Sequence, residues 1–115
     1  MIKSQIKFDV ELDKDRIPEK IEWSATDHKD GKPEPINSFS VSLWDSEQRN
    51  TLRIDLWTKK MPVDQMKQFC IDSIGGMAQT ILNSTGDEYM ANELKELCKK
   101  FSIHLEKEIK EGKYR

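Results

Sequence analysis

The chain has too few residues of several kinds to support the chemistry they usually carry. With only two cysteines in 115 residues, a disulfide framework is excluded. Cys70 and Cys98 fall within apolar helical patterns and read as reduced packing residues. There are two histidines: His28 lies in a polar stretch and His104 beside a helical stripe. Neither has a cysteine, histidine or carboxylate at a recurring ligand spacing, so no metal or other cofactor is expected. Gly75-Gly76 sits inside a helical pattern rather than between a strand and a helix, so it is no phosphate cradle. No nucleophile has a base and an orienting third group nearby, and no catalytic residue is expected. Asp9, Glu11 and Glu22 can share one sheet face and so imitate a carboxylate pair. The interleaved Lys7 and Lys20 favour a solvated, charge-mixed surface instead.

Net charge and long apolar runs are also lacking. Nineteen basic residues against 21 acidic ones leave a formal charge of -2, which gives nucleic acid no basic patch to bind. No stretch approaches the ~20 apolar residues of a membrane span, and the first residues lack the apolar run of a signal peptide. A cytoplasmic location without direct membrane insertion is the expectation.

What is present is periodicity. Ile6, Phe8, Val10 and Leu12 alternate with Lys7, Asp9 and Glu11, which predicts a strand over 4–12 with one face in a core. Ile21, Trp23 and Ala25 predict a second strand over 20–26. The segment from Asp27 to Asn37, with Gly31, Pro33 and Pro35, reads as the longest and most mobile loop. Phe39, Val41 and Leu43 then alternate with serines, and Leu52, Ile54 and Leu56 alternate with Arg53, Asp55 and Trp57. These are two strands of a hairpin turning at Asp45 to Asn50. Val63, Met66, Cys70, Ile74, Met77 and Ile81 recur at helical spacing and predict a helix over 62–83. Gly75-Gly76 inside it implies a kink or, more plainly, a close approach of the helix backbone to the sheet. Asn83 to Gly86 ends that helix and Asp87 can cap the next. A second helix over 88–110 follows, with a stripe from Tyr89 or Met90 through Leu94, Leu97, Phe101 and Leu105 to Ile109. The charged tail from Lys107 to Arg115 is expected to fray. The fold expected is α+β: a four-stranded antiparallel sheet in meander order with a C-terminal two-helix hairpin packed on one face.

One surface stands out as a binding candidate. If Leu43 pairs with Leu52, Val41 with Ile54 and Phe39 with Leu56, the side chains of Trp44, Arg53, Asp55 and Trp57 project from the opposite face. In this register the two tryptophans lie roughly 20 Å apart, so they are separate anchors. Partner binding through this face, self-association included, stands against local packing by loops or chain ends. The alternative is a small-molecule-binding domain or minor enzyme, with a ligand between sheet and helices near Cys70, Cys98 and Trp23. A thermal-shift screen separates the two, because ligand at a hundred times its Kd stabilises by ~2.7 kcal/mol.

Ser-Leu-Trp-Asp at 42–45, Ile-Asp-Leu-Trp-Thr at 54–58 and Met-Pro-Val-Asp-Gln-Met-Lys-Gln-Phe at 61–69 together resemble the gliding-motility GldC family of Bacteroidetes. The opening, Ile6-Lys7-Phe8 through Ile21-Glu22-Trp23, is similar to the same family. The likeness runs from about Ile6 to Phe101 and leaves out the tail and the Asp27 to Asn37 loop. It implies a single GldC-like domain over residues 1–115, a cytoplasmic accessory protein of the gliding machinery and its coupled secretion system. The implied partners are other motility or secretion proteins, some associated with membranes. It implies no enzyme and supplies no ligand residues.

Overall fold

A computed structural model describes all residues, Met1–Arg115. The chain divides into two compact units, Met1–Met61 and Pro62–Arg115. The first holds every strand, and the second is a helical hairpin.

In the first unit β1 (Ile6–Leu12) and β2 (Pro18–Ala25) pair antiparallel, with Phe8 opposite Trp23 and Val10 opposite Ile21. The alternation of apolar and charged residues sets this register, because a slip of one residue would turn every apolar side chain to the other face. The same register sets Asp9 opposite Glu22, and Lys20 Nζ lies 3.2 Å from Glu22 Oε1, a charge-mixed face. A short β3 (Glu34–Ile36) follows and pairs with the other edge of β2. Then β4 (Ser38–Asp45) and β5 (Asn50–Trp57) form a separate two-stranded sheet. The chain is α+β as expected, but its strands have a different topology: a three-stranded sheet β1-β2-β3 and a two-stranded sheet β4-β5 replace the single four-stranded meander.

The difference has a local cause. The alternation in 39–43 shows that this segment has one apolar face, but it does not name the strand beside it. Glu34–Ile36 takes the place next to β2, and Pro35 is tolerated there because β3 is an edge strand whose missing N–H breaks no internal ladder. The stretch read as one long loop is thus ordered by short-range contacts. His28 N–H donates to the Ala25 carbonyl, its ring stacks on Trp23 at 4.7 Å, and its Nε2 lies 3.1 Å from Glu34 Oε2. Lys29, Asp30 and Gly31 turn the chain in succession with φ of 47°, 57° and 78°.

Thr58, 2 % exposed, closes the base of the β4–β5 hairpin. Its N–H donates to the Asn37 carbonyl at 2.9 Å, and its hydroxyl donates to Asn37 Oδ1 at 3.2 Å. Phe8 of β1 stacks on Phe39 of β4 at 4.3 Å between ring centroids. Of the apolar residues expected to point inward, Ile21 alone is fully buried in this unit, and Leu43, Leu52 and Ile54 are exposed.

In the second unit α1 (Val63–Thr85) and α2 (Glu88–Lys110) are joined at Gly86, whose left-handed φ of 73° ends α1. Asp87 caps α2, its carboxylate accepting from Met90 N–H at 3.0 Å. The seam between the helices runs along Ile71 and Ala78 of α1 and Ala91 and Leu105 of α2. This seam corrects the expected stripe of α1 in part: Met66, Ile74 and Ile81 are half-buried, whereas Val63, Cys70 and Met77 are exposed. A helical stripe drawn every three or four residues fits two adjacent lines when both carry apolar residues, and here the line through Ile71 and Ala78 is the buried one. Cys98 remains a packing residue, with its thiol 3.5 Å from the Ile71 carbonyl, whereas Cys70 is not.

The helix runs unbroken through Gly75 and Gly76. A Cβ on Gly75 would sit 3.9 Å from Cys98 Sγ, an ordinary contact, so the α1–α2 seam does not require a glycine there.

The tail is a further correction. Gly112, φ 78°, reverses the chain after α2 and folds Lys113 and Tyr114 back onto Glu108. Glu108 is buried, and its carboxylate accepts from Lys113 Nζ at 2.6 Å, Lys67 Nζ at 2.8 Å and the Tyr114 hydroxyl at 2.8 Å. His104 Nε2 lies 3.6 Å away. The Lys113 ammonium, then Lys67 and Tyr114, hold the Glu108 carboxyl at about 2, below its ordinary 4.5. A folded-state pKa below the unfolded one gives stability that is complete above about pH 4.5 and is lost as pH falls toward 2. Helical ellipticity melts should therefore show a larger fall in Tm for wild type than for Glu108→Gln between about pH 5 and pH 2.5. An equal fall in both would show that this cluster does not couple to folding.

Candidate functional site

The β4–β5 hairpin has the register that its alternation implies. Phe39 faces Leu56, Val41 faces Ile54 and Leu43 faces Leu52. On the other face Ser40 is therefore opposite Asp55, Ser42 opposite Arg53, and Trp44 opposite Thr51. All eight residue pairs follow without a bulge.

This register brings two of the four candidate residues into a polar network with the serines. Arg53 spans its neighbours like a fork: its guanidinium donates to Ser42 Oγ at 3.1 Å, to Ser40 Oγ at 2.9 Å and to Asp55 Oδ1 at 3.0 Å. A further N–H reaches Asp55 Oδ2 at 3.3 Å, making the Arg–Asp pair bidentate. The Ser40 hydroxyl donates to Asp55 Oδ1 at 2.5 Å, and this bond, followed by Arg53, holds the Asp55 carboxyl below the usual carboxylate range.

Trp44 and Trp57 are not part of that network. They flank it at opposite ends of the hairpin, 64 % and 52 % exposed. The face is thus a polar plate with no unanswered charge, bounded by two indole rings. Such a plate holds its own geometry without a partner, and large exposed aromatic surface is what a partner would cover.

The sequence pattern identifies Trp44, Arg53, Asp55 and Trp57 but does not show that the charges are satisfied by the serines. A Ser-x-Ser segment set opposite Arg-x-Asp was the available signal.

The remaining titratable residues form no reactive constellation. No group of three or more His, Cys, Asp or Glu side chains is placed to hold a metal ion. His28 is occupied by Trp23 and Glu34, and Glu34 is held below its ordinary range by Lys29 and then His28. An open hollow of about 400 Å³ lies beside β2, between Glu11, Lys20, Ile21, Ile36 and Lys60. It mixes charges of both signs and contains no nucleophile–base pair. No helix is long and apolar enough to cross a membrane.

The family model described as gliding motility-associated protein GldC-like matches residues 18–107, which takes in β2 to β5, α1 and most of α2. The segment from Asp27 to Asn37, left out of the resemblance read from the sequence, lies within the match, and β1 lies outside it. No curated protein and no solved structure matches the chain. With most of its length inside that match, the chain belongs to the GldC-like family of gliding motility-associated proteins.

Proposed function

We propose that this chain is a non-enzymatic accessory protein of the cytoplasm, serving the gliding machinery and its coupled secretion system through protein–protein contact. Family membership supports the association with motility. The observation that carries the molecular reading is the outer face of β4–β5, where Trp44 and Trp57 are exposed on either side of a network satisfied within the chain. Binding there orders few groups, because Arg53 and Asp55 are already fixed, so the indole rings can be buried at low entropic cost. Their loss removes most of the apolar area on the face without disturbing the polar plate.

Affinity capture from a lysate of the source organism, membranes included, tests this. Wild type should retain motility or secretion components, and Trp44→Ala/Trp57→Ala with an unchanged circular dichroism spectrum should lose them. Equal retention by both proteins would rule out this surface.

A further inference from the structure

Free sheet edges invite another strand, and proteins blunt them with prolines, inward or flanking charges, bulges or brevity. The three-stranded sheet follows that rule at both ends. Its β1 edge carries Lys7, Asp9 and Glu11 and a register shift between Glu11 and Leu12. Its β3 edge is three residues long and contains Pro35. The β4–β5 sheet follows it less: β5 is eight residues long, regular in every pair and without proline, and its two charges, Arg53 and Asp55, are paired with each other. Its outer edge makes no backbone hydrogen bond to any other strand.

We infer that β5 pairs antiparallel with the β5 of a second copy of this chain, about a two-fold axis at Ile54, to give a four-stranded sheet β4-β5-β5-β4. The argument is the symmetry of the segment from Thr51 to Trp57. With the axis at Ile54, Arg53 of each copy lies directly opposite the second copy's Asp55, twice per dimer, and Leu52 opposite its Leu56. Directly opposed residues share a face, so the apolar residues stay together and the charges alternate along one row. Each Arg53 would then lie between its own Asp55 and that of the second copy. Moving the axis to Arg53 or Asp55 sets like charge against like. Placing it between two residues sets Arg53 beside Ile54 and mixes the faces. A two-stranded sheet is marginal alone, and four strands with one apolar face are not. That face would join Leu52, 60 % exposed, and Ile54, 42 % exposed, to their symmetry mates. An interface that matches itself in this way is what a two-fold dimer requires.

The pairing uses the edge of the hairpin and leaves the tryptophan face open, so it stands or falls apart from the proposed capture of motility components.

Sedimentation equilibrium on the whole chain is the test. Wild type should sediment at twice the 13.5 kDa of one chain. Arg53→Asp makes both central charges acidic and Asp55→Arg makes both basic, so each alone should sediment as a single chain. An equimolar mixture of the two should regain the doubled mass, because each then meets its complement. The swap Arg53→Asp/Asp55→Arg keeps the pairing within the chain and should dimerise as wild type does, which guards against single variants that fail to fold. Wild type at 13.5 kDa at every concentration, or single variants that dimerise as well as wild type, would overturn the inference.

Discussion

Ile21→Ala is expected to destabilise the sheet-bearing unit by about 2–5 kcal/mol, the range for emptying a buried isoleucine site. Ile21 lies in β2, the central strand of its sheet, opposite Val10 on one side and Ile36 on the other. It is 1 % exposed, and no other large apolar side chain of this unit is comparably buried. Collapse around the cavity is limited, because both neighbouring strands are held to β2 by their ladders. Chains of about 60 residues are marginal even with a good core, so a loss of this size should leave much of the unit unfolded. All three tryptophans, Trp23, Trp44 and Trp57, lie in Met1–Met61, so their fluorescence in a urea titration reports this unit directly. A midpoint lowered at constant slope is the expected result. A loss below about 1 kcal/mol would show that Ile21 is not the keystone of the sheet.

Leu105→Ala is the corresponding change in the helical unit, with an expected loss of about 2–5 kcal/mol. Leu105 is 4 % exposed, and the other apolar residues buried at the seam include Ala78 and Ala91, which contribute little area of their own. The small residues let the helices approach, and Leu105 is the one large apolar side chain of α2 that is buried outright. Helical ellipticity during urea unfolding is the appropriate signal, since this unit contains both helices and no tryptophan. An unchanged midpoint would mean that the seam is held elsewhere, for example at the Glu108 cluster.

How much of this was legible follows from how local each cause is. Alternation alone gives β1, β2 and the register of the β4–β5 hairpin, because each strand has one apolar and one polar face. The turn and cap residues Gly86 and Asp87 give the helix junction for the same reason. What alternation cannot give is which strand lies beside which, so a single four-stranded sheet was the natural but incorrect assembly. Pro35 signals a break in sequence, but the edge position of β3 makes it harmless. The α1 stripe is right at Met66, Ile74 and Ile81, which are half-buried, and wrong at Val63, Cys70 and Met77, an apolar line that alternation cannot tell from the buried one. Glu108 was invisible: its partner Lys67 is 41 residues away in sequence, and charged residues near a C-terminus read as solvated. Gly112 was the available signal that the tail turns back. At the candidate site the four named side chains share the face deduced for them, but the role of Ser40 and Ser42 in fixing Arg53 and Asp55 needed the register in three dimensions.

The central claim is that the tryptophan-flanked face of β4–β5 is where this GldC-like protein meets its partner. The measurement that addresses it most directly is photo-crosslinking in the source organism, with a photoreactive phenylalanine analogue placed singly at Trp44, at Trp57 and, as a control, at Lys7 on the exposed β1 strand. Adducts with motility or secretion components from positions 44 and 57, and none from position 7, are the predicted result. The same adducts from all three positions, or adducts from position 7 alone, would contradict it.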